Sequence, residues 1–234
     1  MATRTPPPKV SVDDVLTELA ALEDPKARAV NERRGNDIGV NLTKLRAIAK
    51  RLKTQHEFAA ELWATADTQA RLVALLISSP KKYTTTQLDS MLRETQVPKV
   101  HEWFVSYILK KHPQSETLRE TWMHDADDVV ASAGWALTSH AVAKDAGRLD
   151  LEALLDVIES QMQAAPDRLQ WAMNECLANI GIHHPQHRTR ALAIGERLEV
   201  LKDYPTPPNC TSPYAPEWIQ AMVTRQEAAQ KSTS

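Results

Sequence analysis

Along nearly the whole chain, apolar side chains recur at intervals of three or four residues. No stretch alternates apolar with polar as a half-buried strand would. That rhythm restricts the fold to packed helices. Fourteen prolines against six glycines reinforce it, because most prolines fall between the periodic segments, where a residue lacking an amide proton stops a helix. The spacing predicts helices near 12–22, 26–34, 42–53, 55–65, 68–79, 84–94, 99–112, 115–124, 126–145, 150–165, 167–181, 186–200 and 214–229. Ser11 and Asn41 are placed to cap the first and third of these. Connections are short apart from the proline-rich stretch 201–213, expected to be an ordered loop because helical periodicity resumes beyond it.

Helices joined by tight turns suit antiparallel pairs stacked side by side. The expected class is therefore all-α, a right-handed α-solenoid of the HEAT/ARM kind with a concave inner face; one compact bundle is the other architecture open to such a chain. No sequence repeat is evident, so rhythm alone carries this. Residues 10–230 are expected to form a single domain, with 1–9 and 231–234 as frayed tails.

Composition narrows the function classes. With 42% hydrophobic and 25% charged residues the chain reads as an ordinary soluble protein. No apolar run approaches the roughly 18 residues of a membrane span, and MATRTPPPKV has no apolar signal region. Cys176 and Cys210 make neither a disulfide framework nor a metal spacing, which suits a reducing, cytoplasmic setting. No GxSxG, P-loop or GxGxxG occurs, so hydrolase triads and nucleotide motors are disfavoured, and neither a cofactor nor a nucleotide is called for. His183, His184 and His187 sit close in sequence, but Pro185 interrupts helical presentation and no acid or cysteine joins them; a metal site is not expected.

The formal net charge of −2 hides local asymmetry. Residues 41–53, NLTKLRAIAKRLK, hold five basic side chains and no acid, whereas 145–167 carry six acids against Arg148. On a helical wheel Leu42, Leu45, Ile48, Ala49 and Leu52 face inward, and Arg46, Lys50 and Lys53 line one flank. Such a stripe is either a solvated face or a phosphate contact.

Two other helices place aromatic rings away from their apolar arcs. In KVHEWFVSYILKKHP, residues 99–113, Phe104 and Ile108 belong to the core. Trp103 lies at the arc's margin near Ser106 and Lys110, with Tyr107 one turn on. Trp103 is thus either a rim residue or a ring that meets a ligand. In DRLQWAMNECLANIG, residues 167–181, Leu169, Met173, Cys176, Leu177 and Ile180 form the buried arc, and Trp171 points the opposite way among Asn174, Glu175 and Ala178. Either another helix covers that ring or it stacks on a ligand or nucleic acid. Trp63, Trp122 and Trp135 read as packing, with Gly134 allowing close helix approach.

In order along the chain, GVNLTKLRAIAKRLK, FAAELWATADTQARLVALLIS, the Trp103 helix, QWAMNE and CTSPYAPEWI resemble the DNA alkylation repair family of HEAT-like helical proteins, over roughly residues 35–225. The resemblance implies an α-solenoid whose concave face grips duplex DNA, and, in some members, a glycosylase releasing cationic N3- or N7-alkylated purines. Trp faces attract the cationic base, a carboxylate supports the oxocarbenium that develops on the sugar, and an Arg fixes a phosphate. Carried over, the two cleft tryptophans fall on Trp103 and Trp171, and the basic helix containing Arg46 matches. The family's acid position holds Tyr107, whose phenol is uncharged at neutral pH, and its phosphate-gripping Arg position falls on Ala131 or Ser132. Glu175, Asp127 and Asp128 are the candidate replacement acids.

The expectation is a monomeric DNA-binding protein that recognises alkylated or distorted duplex through Trp103, Tyr107, Trp171, Arg46, Lys50, Lys53 and Lys110. An active alkylpurine glycosylase with a relocated carboxylate and a protein-interaction scaffold are the alternatives.

Overall fold

The computed structural model describes residues 10–231. The expected tail 1–9 lies outside them, as do 232–234, while residue 231 closes the last helix. Among the described residues there is no strand. The thirteen α-helices are α1 Val12–Ala21, α2 Pro25–Glu32, α3 Leu42–Leu52, α4 His56–Ala64, α5 Thr68–Ile77, α6 Thr85–Arg93, α7 Pro98–Trp103, α8 Ser115–Trp122, α9 Asp128–Lys144, α10 Leu151–Gln161, α11 Asp167–His183, α12 Pro185–Leu198 and α13 Ala215–Lys231.

Their starts follow local chemistry. The Ser11 hydroxyl accepts the amide of Asp14 while the Asp14 carboxylate accepts the amide of Ser11, a reciprocal capping box. Asn41 accepts the amide of Thr43 at the start of α3, and Asp24, Asp67, Asp127 and Asp150 cap α2, α5, α9 and α10. Prolines open α2, α7 and α12, where a missing amide proton is harmless.

The chain divides into two compact units, Met1–Leu88 with Glu94–His112, and Asp89–Arg93 with Pro113–Ser234. In the first, α5 is buried nearly all round and packs against α3 and α4. Leu45, Ile48, Leu62, Leu72, Phe104 and Ile108 are sealed in its core. The buried Gln69 side chain on α5 accepts the amides of Gly39 and Val40 at 3.1 and 2.7 Å. Those bonds hold the turn that launches α3, so the basic helix is fixed from below.

The periodicity of 99–112 predicts one helix; instead the chain changes pitch twice. After α7 come a π-turn over Phe104–Ile108 and a 3₁₀ turn over Leu109–Lys111. A π-turn inserts one residue into the helix, which rotates everything beyond it by about 100°.

The second unit is organised around α11, which packs against α9, α12 and α13. Asn179 donates to the Ser139 hydroxyl at 2.7 Å, and the His184 ring bonds the Val142 carbonyl at 2.9 Å. These ties advance in the same direction along both elements, so α9 and α11 run parallel. Gly134 lets the end of α8 touch α9: a Cβ there would lie 2.3 Å from the Met123 amide nitrogen.

Candidate nucleic-acid interface

The first unit carries a ladder of cations and rings. Arg46 of α3 places its guanidinium 4.8 Å from the centre of the Trp103 ring. Trp103 meets Tyr107 edge-on, with centroids 5.3 Å apart and planes at 67°, and the Lys111 ammonium lies 5.3 Å from the Tyr107 ring centre. Arg46 and Lys111 are exposed at the two ends. Trp103, Tyr107 and Lys111 follow at intervals of four residues, so each meets the next along one flank of the segment.

One expectation is corrected here. Trp103 is only 3% exposed, so it is not an open ring; Arg46 covers its face and is the group that solvent meets. Lys110 is half-buried, and the cation at the Tyr107 ring is Lys111. Lys111 lies one turn beyond Tyr107, so a wheel centred on Tyr107 finds it, whereas a wheel centred on Trp103 puts Lys110 nearer.

Along α3, Arg51 pairs with Glu18, but among the described residues none of Arg46, Lys50, Lys53 and Lys111 forms an ion pair. Arg46 and Lys50 are one turn apart on the same exposed flank. Lys53 follows at the C-cap, with φ 58° and ψ −168°. That backbone region belongs to glycine, so a lysine there is strained by roughly 1–3 kcal/mol.

The acidic segment is not an unpaired patch. Arg190 of α12 engages Glu152, Asp156 and Glu159 of α10, Arg197 engages Glu159, and His187 bonds Glu152. Hydrogen bonding from Arg190 first, then from His187 or Arg197, holds Glu152 and Glu159 below the usual carboxylate range. Because α12 supplies the counter-charges from far along the sequence, a segment-by-segment charge count overstates the acidity.

In the second unit Trp171 is the exposed tryptophan of the six, at 37%. Its partner is not another helix but Tyr204 of the proline-rich loop, 5.1 Å away at 71° and itself 45% exposed. The same loop is tied to the next turn of α11: the buried Asn174 donates to the Pro213 carbonyl at 2.8 Å, and Ala178 one turn on belongs to the core cluster. The wheel's polar flank is thus a docked loop that leaves Trp171 uncovered. Sequence reading missed Tyr204, since a lone tyrosine in a loop carries no periodicity.

The candidate acids differ in availability. Asp127 accepts the amides of Val129 and Val130 as the cap of α9 and lies 3.7 Å from Arg93. Asp128 is exposed in the first turn of that helix. Glu175 is half-buried one turn beyond Trp171. Ser132 is buried and turned to the Val129 carbonyl, and Ala131 is buried beside it. Arg168, half-buried at the start of α11, lies within electrostatic reach of Asp127. Burial pushes the Cys176 thiol well above its ordinary range, as befits an inert core residue.

His184 and His187 border a shallow depression of about 470 Å³ with Asp150 and Glu152. Among the described residues no group of three or more His, Cys, Asp or Glu side chains converges as metal ligands would. Nor is any described helix long and apolar enough to cross a membrane.

A solved structure described as "A new family of proteins related to the HEAT-like repeat DNA glycosylases with affinity for branched DNA structures" superposes with a TM-score of 0.76 at 22% identity, covering 93% of this chain and 95% of that one, so the two share a fold. An uncharacterized protein of Listeria innocua is 24% identical over 221 residues, 90% of this chain and 96% of its own length. One of Listeria monocytogenes is 24% identical over 199 residues, 81% of this chain and 87% of its own length. Residues 15–219 match the family described as DNA alkylation repair enzyme, and the chain belongs to that family.

Proposed function

We propose that this protein binds duplex DNA whose regular stacking is interrupted, by alkylation or by a branch, and that it recognises such sites rather than excising bases. The observation carrying the reading is the cationic run Arg46, Lys50, Lys53 and Lys111, which has no acidic partner among the described residues while Arg190 and Arg197 of α12 are matched to carboxylates. Such a run gains free energy by releasing counterions from a phosphate backbone. Family membership and a fold shared with a protein described as having affinity for branched DNA support the choice of ligand.

Recognition without excision is favoured at Tyr107. A phenol carries no charge to offset an oxocarbenium, and the Tyr107 ring is occupied between Trp103 and Lys111. The experiment pairs fluorescence anisotropy on plain, alkylated and junction DNA with an assay for free base on the alkylated duplex. Salt-dependent binding that is tighter on the interrupted DNAs, with no base released, is the expected result. Release that disappears in Glu175→Gln would establish the glycosylase reading in its place. Affinity that is weak and indifferent to salt on every DNA would sink both.

A further inference from the structure

Among the described residues the exposed large apolar side chains are Val10, Val30, Trp171 and Tyr204, and the two aromatic ones touch. Rings of this size normally bury most of their surface. Here the loop could have covered Trp171, since it docks on the following turn of α11 through Asn174, yet it delivers a second exposed ring instead. An edge-on contact covers at most one ring face, so the pair leaves its other stacking surfaces open.

Local hydrogen bonds fix the backbone on either side of Tyr204. Glu199 and Leu201 take left-handed conformations at φ 51° and 59°, and the Tyr204 amide donates to the Leu201 carbonyl at 3.2 Å. Thr206 returns a hydrogen bond to the Tyr204 carbonyl at 3.1 Å, with Pro205 and Pro207 on either side of it. Farther on, the loop is tied by Asn174 to Pro213 and by Arg225 to Thr211. The backbone carrying Tyr204 is tied on both sides, so less conformational entropy is lost when its ring meets a base, which is how an aromatic contact gains affinity.

We propose that Trp171 and Tyr204 form a ledge that takes one unpaired nucleobase, and that Tyr204 is the residue favouring DNA with bases outside the helical stack. The inference rests on the DNA-binding reading above and adds a ligand feature to it. A base in regular duplex keeps its π-faces against its neighbours and offers none to the ledge. A base at a junction or bulge has already lost that stacking and can lie on a tyrosine or indole whatever its identity.

The full-length protein is titrated into two end-labelled DNAs of equal length. One is a fully paired duplex; the other carries an unpaired 2-aminopurine at a branch point. Anisotropy reports binding, and 2-aminopurine fluorescence reports stacking. Tyr204→Leu is expected to weaken binding of the branched probe roughly tenfold, to leave the duplex within about twofold, and to abolish the quenching. Tyr204→Phe, which keeps the ring, is expected to behave as wild type. Equal loss on both probes, unaltered quenching in Tyr204→Leu, or quenching unaffected by protein would overturn the ledge while the DNA-binding reading stands. Failure of wild type to bind either probe would overturn both.

Discussion

Arg46 holds its guanidinium over Trp103 while the neighbouring basic side chains extend into solvent. A cation on an indole at a partly exposed site contributes about 0.5–1 kcal/mol. Arg46→Ala should therefore lower stability in urea by no more than ~1 kcal/mol, while removing a phosphate contact and lowering the salt slope of DNA binding by about 0.9. The other rings sort by burial. Trp135→Ala should cost ~3–5 kcal/mol in urea denaturation, because that ring is 3% exposed inside a packed cluster. Trp171→Ala should cost under ~1 kcal/mol and act on DNA affinity instead. At this scale the sequence was a good guide where a ring stood far from its helix's apolar arc, as Trp171 does. It misled where the ring stood at the margin. Trp103 has a neighbour on α3 that no wheel of its own helix contains.

Helices were the most legible level. All thirteen expected segments hold an α-helix, because caps and prolines mark their ends locally. Trp135 is core, and Gly134 does allow α8 to approach α9. Gly134→Ala would force its methyl into the backbone at Met123, and should destabilise the fold by ~3 kcal/mol or more, read from the shift in denaturation midpoint. The pitch changes after Trp103 were not legible, since the apolar spacing of 99–112 fits an unbroken α-helix. Nor was Lys53, whose sequence neighbours give no sign of its positive φ. Lys53→Gly should raise stability by about 1 kcal/mol while reducing the DNA salt slope by about 0.9, a trade of binding for relaxed backbone.

The pairing of α10 with α12 sets a pH dependence at the same scale. Glu152 and Glu159 have folded-state pKa values depressed from the usual 4.5. Stability from a depressed carboxylate is present above its unfolded value and is lost as pH falls through the folded one. Wild type should thus exceed Arg190→Ala in urea midpoint above about pH 4.5, and the gap should close as the solution is acidified below that value. A gap that widens on acidification would contradict the pairing.

For the molecule as a whole, 28 basic and 30 acidic side chains give little net field, so where they pair matters more than how many there are. Composition alone placed a basic and an acidic region. The folded chain discharges the acidic one across α12 and leaves α3 cationic. That difference could not be seen in sequence, because the compensating arginines lie some 30 to 40 positions downstream. The most direct test is the salt dependence of affinity for a branched DNA, wild type against Arg46→Ala/Lys50→Ala/Lys53→Ala. Wild type should show log affinity falling linearly with log salt, and the triple variant should lose about 2–3 from the magnitude of that slope. An unchanged slope in the folded triple variant would contradict a DNA-binding role for α3.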